Sequence, residues 1–171
     1  MRKLIGAAVI LLACFLSAQL RLRTKKERIA CLRALETSLA ELRGELAEHR
    51  RGLGEIFCFL SQKSDHEKVK TFYETLCSDL NMLGERGFSE IWRSASEKCF
   101  RLQGDEAVDA LFPLGSCLGG SEMERQCAAL ETAVRRIAAE AQAQNEKLKE
   151  ERKLYFGLSL SAGAFLVIML M

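Results

Sequence analysis

The last eighteen residues of the chain, Leu154 to Met171 (LYFGLSLSAGAFLVIMLM), carry no charge, no Asn or Gln and no proline. As a helix rising about 1.5 Å per residue they cover roughly 27 Å, close to the roughly 30 Å hydrocarbon core of a bilayer. The alternative, a buried core helix, needs a soluble domain large enough to hide such a run on all sides. The run therefore reads as a C-terminal transmembrane helix over 154–171, with the chain expected to end inside or just beyond the membrane. Everything upstream is then read as anchored.

A second apolar run, Leu4 to Leu20 (LIGAAVILLACFLSAQL), lies at the other end. Three readings compete for it: a signal peptide, a lipoprotein signal and an uncut transmembrane helix. Leu11-Leu12-Ala13-Cys14 resembles a lipidation box, but Phe15-Leu16 follows where a mature lipoprotein is usually polar. A conventional cleavage site with small residues at both recognition positions is also lacking. The uncut helix, over 1–21, is favoured.

The flanks set an expected orientation. Arg21, Arg23, Lys25, Lys26 and Arg28 follow the first run, against Arg2 and Lys3 before it, and Lys147, Lys149, Arg152 and Lys153 precede the second. The positive-inside bias places residues 22–153 in the cytoplasm with both termini outside. Topogenic charge explains these flanks; contact with anionic lipid is a second role they could take.

Between the anchors the pattern is helical throughout. Leu32, Leu35, Leu39, Leu42 and Leu46 recur at spacings of three and four, as do Met123, Cys127, Leu130, Val134, Ile137, Ala141 and Leu148 towards the C-terminus. Both seams run into an anchor, so two long helices leaving one membrane must lie antiparallel. Counting equal distances from the membrane pairs Leu46 with Leu130 and Leu35 with Ala141. Shorter pieces fill the middle. Ile56, Phe57, Phe59 and Leu60 mark an apolar turn or two. Ser64 with Glu67 reads as a capping box for a helix bearing Val69, Phe72, Tyr73, Leu76, Leu80 and Leu83 that stops at Gly84. Ser89 can cap a helix with Ile91, Trp92, Ala95, Cys99 and Phe100. Asp105 can cap one with Val108, Leu111 and Phe112, which Pro113 should bend or shorten. Gly119-Gly120 supplies a turn and Ser121 a cap for the final helix. No stretch alternates with period two for long enough to be a strand. The fold class expected is all-α: a membrane-anchored helical bundle on a long antiparallel helical hairpin.

Little in the chain suggests chemistry. There is no nucleotide-binding Gly-rich loop, no Gly-x-Ser-x-Gly elbow and no His-Glu-x-x-His. No enzyme activity and no cofactor are expected. The two histidines, His49 and His66, lack metal-ligand spacing, so no metal is assigned. With 25 basic and 23 acidic residues interleaved, no stripe fits nucleic acid. The seven cysteines are odd in number, widely spread and never Cys-x-x-Cys, a pattern read as reduced thiols in a cytosolic compartment. Phe57, Phe59, Phe72, Tyr73, Trp92, Phe100 and Phe112 are expected to form the core of the short-helix region.

Several segments together resemble one family. Gly115-Ser116-Cys117-Leu118-Gly119-Gly120-Ser121-Glu122, with Gln126 and Leu130 after it, is similar to the Gly-x-x-Leu-Gly-x-Ser-Asp run of the stage III sporulation protein AB family. Glu45-Leu46 and Leu53, Trp92 with Ala95, and the anchor around Lys153-Leu154-Tyr155, Ser159 to Gly163 and Val167 to Met171 follow in the same order and spacing. Glu122 stands where the family usually has Asp, and Arg51-Gly52 replaces a Thr-Pro.

The resemblance implies a non-enzymatic component of the channel between mother cell and forespore in endospore-forming bacteria. It implies a place in the mother-cell membrane around the forespore, with the main domain cytoplasmic. Implied partners are the lipid bilayer and other stage III sporulation A-operon proteins, including the AA-type secretion ATPase that the chain would dock as a platform; self-association into a homo-oligomer stays open. Members are likened to the inner-membrane platform protein of type II secretion systems. Glu122, Arg125 and Gln126 are the candidate partner-binding residues. An independent membrane-tethered coiled-coil adaptor is the alternative from another class, and a lipoprotein acylated at Cys14 a third.

Overall fold

The computed structural model describes residues 2–49, 52–80, 86–101, 105–120 and 122–170. Six helices run along them: α1 (Arg2–His49), α2 (Leu53–Lys63), α3 (Glu67–Asp79), α4 (Phe88–Phe100), α5 (Asp105–Leu118) and α6 (Met123–Leu170). Among the described residues there is no strand, and the protein is all-α as its periodicity requires. No helix, searched over the described residues, is long and apolar enough to cross a membrane. The side chains of both apolar runs assigned to membrane spans, residues 2–18 and 155–170, lie outside that description, as do Met1 and Met171.

Two compact units divide the chain, residues 1–29 with 143–171, and residues 30–142. In the second, Leu32, Leu35, Leu39, Leu42 and Leu46 of α1 are fully or almost fully buried in one core with Leu130, Ala133, Ile137 and Ala141 of α6. The 3-4 spacing puts each set on one stripe of its helix, and burying a leucine is worth roughly 1.5–3 kcal/mol. An ion pair from Arg43 to Glu131 (3.4 Å) gives the register. Arg43 lies one turn before Leu46 and Glu131 directly follows Leu130, so the pair brings the Leu46 and Leu130 levels of the two helices together. In the first unit Lys25 is paired with Glu151.

The aromatic residues join the short helices. Phe72, Tyr73, Trp92, Phe57 and Phe100 are completely buried, with Phe72 edge-on to Tyr73, Trp92 and Phe100 at centroid distances of 5.1, 5.2 and 5.1 Å. Phe88, absent from the sequence-based list, stacks on Phe57 at 6.3 Å. Phe59 instead turns outward beneath the Lys63 ammonium, and Phe112 is half-buried under the Arg93 guanidinium. Phe112 still packs against the core with its other face, whereas Phe59 stays partly exposed, each ring having a cation over it. Tyr73 also ties α3 to α1: its hydroxyl donates to Ser38 Oγ (3.2 Å), which donates to the Leu35 carbonyl (2.9 Å).

Several local expectations are corrected. Ser64 does not box with Glu67; it closes α2, its backbone N–H donating to the Leu60 carbonyl, and His66 precedes α3 with no side-chain cap. α2 is three turns long, because Leu53 to Lys63 contains no helix breaker other than Gly54. α3 ends at Asp79; Leu83 and Gly84 lie outside the described residues. Gly87, not Ser89, precedes α4. Pro113 does not shorten α5, which continues to Leu118. The missing N–H forgoes one hydrogen bond, while Leu111 and Leu114 on either side are buried and hold the helix on the core. Ser121 lies outside the described residues.

The reading of all cysteines as reduced thiols is also corrected. Cys58 of α2 and Cys77 of α3 form a disulfide, with Cα atoms 5.7 Å apart. They are 19 residues apart in sequence, a separation that the antiparallel pairing of two helices of 11 and 13 residues closes. Cys31, Cys99, Cys117 and Cys127 are free; Cys14 belongs to the undescribed side chains. Burial pushes the Cys99 thiol up despite nearby Lys98 and Lys68, which keeps it protonated and weakly nucleophilic.

Candidate functional site

The candidate residues lie where α5 hands over to α6. Gly115 is buried within α5 because the indole of Trp92 occupies the space a side chain would need: a Cβ there would stand 3.1–3.2 Å from three Trp92 carbons. One turn on, a Cβ at Gly119 would stand 3.1 Å from Phe88. Two glycines four residues apart thus form a flat strip on which Trp92 and Phe88 of α4 lie. The Trp92 indole N–H donates to the Leu111 carbonyl at 2.8 Å, and Ser96 Oγ donates back to the Trp92 carbonyl at 2.8 Å. Every polar group of this contact is satisfied inside the core.

Gln126 reaches back across the turn. Its side-chain amide donates to the Leu118 carbonyl (3.4 Å), the last residue of α5, while its backbone N–H bonds the Glu122 carbonyl (3.1 Å) in opening α6. One residue therefore occupies an orphan carbonyl at the end of one helix and an N–H at the start of the next. Glu122 and Arg125 are exposed, and Gln126 is half-buried. Of the three candidates, two present charge to solvent and the third serves the turn. Sequence reasoning did not separate these roles, because the signal for a cap lies in which carbonyl a side chain can reach.

The rest of the family-like pattern is also packed. Leu118, Leu130, Leu46, Trp92 and Ala95 are buried, and Leu53 is half-buried at the start of α2. The Gly-x-x-Leu-Gly run, the Trp-x-x-Ala pair and the Gln that follows thus meet around one helix junction. The family model for stage III sporulation protein AB matches residues 3–171. The chain belongs to that family. No curated protein and no solved structure matches it. The family's match covers both apolar ends as well as the helical region between them.

Chemically the junction offers charge and shape. Among the described residues no group of three His, Cys, Asp or Glu could hold a metal ion. The half-buried His66, which precedes α3, has its Nδ1 buried with no hydrogen-bond partner. The phenol of Tyr73 is held protonated well above its ordinary range by complete burial, so it acts as a structural donor.

Proposed function

We propose that this chain is a non-enzymatic, membrane-anchored platform of a stage III sporulation assembly. Residues 1–21 and 154–171 are its anchors, 22–153 its helical domain, and an AA-type secretion ATPase the partner it docks beside other products of the same operon. The observation that carries this reading is the family match over residues 3–171. Supporting it are the charge-free runs at both ends and the chain's lack of a catalytic motif. The mother-cell membrane around the forespore is the proposed location, with the helical domain cytoplasmic.

Docking is assigned to Glu122 and Arg125, exposed charges at the start of α6, beside a junction in which Gly115, Leu118 and Gln126 are engaged in packing or hydrogen bonding. The test is capture of the purified ATPase by the full-length protein in detergent. Arg125→Glu should abolish capture while the melting temperature stays within about a degree or two, since exposed substitutions rarely exceed about 0.5 kcal/mol. Gln126→Ala should lower the melting temperature and leave the charges in place. Capture that survives Arg125→Glu would make the segment purely architectural.

The Cys58–Cys77 disulfide favours a second reading, in which the helical domain faces an oxidising compartment. Ser94, exposed on α4, separates the two when changed to Cys. Labelling of that thiol by a membrane-impermeant maleimide in intact cells supports the second reading, and labelling only after permeabilisation the first.

A further inference from the structure

The chain's near-neutral charge conceals a division. Residues 1–29 and 143–171 hold eleven Lys and Arg against four Asp and Glu, a net +7, whereas residues 30–142 hold fourteen against nineteen, a net −5. Nine of those eleven cations fall in two short stretches, 21–28 of α1 and 147–153 of α6, directly bordering the apolar runs. The Lys25–Glu151 bridge joins the two stretches, so the cations of both helices gather around it.

The bridge consumes one cation and leaves most of the others. Arg23, Lys26, Lys149, Arg152 and Lys153 are exposed and carry no ion pair among the described residues. By contrast, arginines and lysines of residues 30–142 commonly pair, as Arg43 with Glu131, Lys63 with Glu41, Arg93 with Glu97 and Arg135 with Glu131. A lysine or arginine could sit here unpaired at little cost if it faced only water. Five such cations in these two stretches outnumber the exposed Glu27 and Glu150 there and leave a net positive charge beside two segments apolar enough to enter a bilayer. That charge is neutralised by a surface of opposite charge.

We infer that this collar binds the phosphate headgroups of anionic lipids. The inference rests on the membrane anchoring proposed above and adds lipid selectivity to it. A basic segment beside an anchor gains roughly fivefold in partition per Lys or Arg at an anionic surface. The same surface repels the net-negative helical domain.

The experiment uses the full chain reconstituted in bicelles of equal phosphatidylglycerol and phosphatidylcholine. Lipid retained after detergent extraction and affinity capture is quantified by mass spectrometry. The wild-type protein should retain phosphatidylglycerol at least tenfold over phosphatidylcholine at low salt, with the preference falling towards unity at high salt. Changing Arg23, Lys26, Arg152 and Lys153 to Gln should abolish the preference while helical content by circular dichroism is unchanged. Changing Arg93, Arg125, Arg135 and Arg136 to Gln removes the same charge from residues 30–142 and should leave the preference intact. Equal retention of the two lipids by the wild type, or loss of preference in the second variant too, overturns the inference. Displacement of the lipid by millimolar inorganic phosphate would also overturn it, by showing a site for small anions. Failure of the anchoring itself reads differently: the protein would then leave vesicles of either composition on alkaline carbonate washing.

Discussion

Gly115 and Gly44 both lie inside helices, and replacing each by alanine should move stability in opposite directions. Alanine is favoured over glycine in a helix interior by about 0.8–1.0 kcal/mol, so propensity alone predicts that both substitutions stabilise. At Gly44 of α1 a Cβ would meet nothing within 4 Å, and that gain should appear undiminished. At Gly115 the new methyl would stand 3.1 Å from Trp92 Cδ1 and 3.2 Å from its Cβ and Cγ. The indole cannot retreat. It is completely buried, its N–H is held by the Leu111 carbonyl, and the rings of Phe57 and Phe72 lie 6.0 and 5.2 Å away. Overpacking of this kind costs about 1–3 kcal/mol. Set against the helix gain, Gly115→Ala should destabilise by about 1 kcal/mol and Gly44→Ala should stabilise by a little under 1 kcal/mol. Urea unfolding of the full chain in detergent, followed by circular dichroism, measures both if the slopes match. A cycle with Trp92→Leu isolates the cause: the Gly115→Ala cost should shrink by more than about 0.5 kcal/mol when the indole is gone. Stabilisation by Gly115→Ala, or an unchanged cost in the leucine background, would refute the close-packing argument.

Replacing both Cys58 and Cys77 with serine should lower stability by roughly 3 kcal/mol, the chain-entropy value for a loop of this size, and should abolish the sensitivity of the urea midpoint to dithiothreitol. Tyr73 supplies a pH dependence: its folded-state pKa is raised above the unfolded value near 10, so the native state keeps a proton that the unfolded state loses, and stability falls as pH rises beyond about 10. Tyr73→Phe should flatten that alkaline decline, measured against wild type to cancel the lysines, while costing about 1 kcal/mol at neutral pH for the Ser38 bond. Cysteines placed at positions 46 and 130 should crosslink readily in a background without native cysteines, and crosslinking of position 46 to 148 instead would break the register that the Arg43–Glu131 pair defines.

The long helices were legible because one property decides them. Leu32 to Leu46 and Leu130 to Ala141 need only a 3-4 spacing to be placed on a stripe, and all of those seam leucines are buried. The ends of the short helices were less so. Ser64 with Glu67 satisfies the sequence form of a capping box, but α3 begins at Glu67 with His66 in the cap position, so Ser64 lies two residues too early to cap it. Pro113 carries a local penalty that the burial of Leu111 and Leu114 outweighs. Cys58 and Cys77 show the other limit. Their pairing depends on how α2 folds back on α3, which a spacing of 19 residues does not encode. Phe88 precedes the periodic run that begins at Ile91 and so carries no periodic signal, yet it covers Gly119 just past the end of α5.

The α5–α6 junction bears on how partner recognition is divided along the chain. A motif can recur because its residues touch a partner or because they set a backbone path. Here Gly115, Leu118, Gly119 and Gln126 each have a packing or hydrogen-bonding partner within residues 30–142. Substituting any of them removes that partner, so a loss of binding would follow from lost packing as readily as from lost contact. Glu122 and Arg125 differ in that both are exposed and can be reversed in charge without opening the core. Charge reversal at Glu122 or Arg125 therefore tests a surface contact, whereas substitution of the glycines or the glutamine also tests the packing beside it.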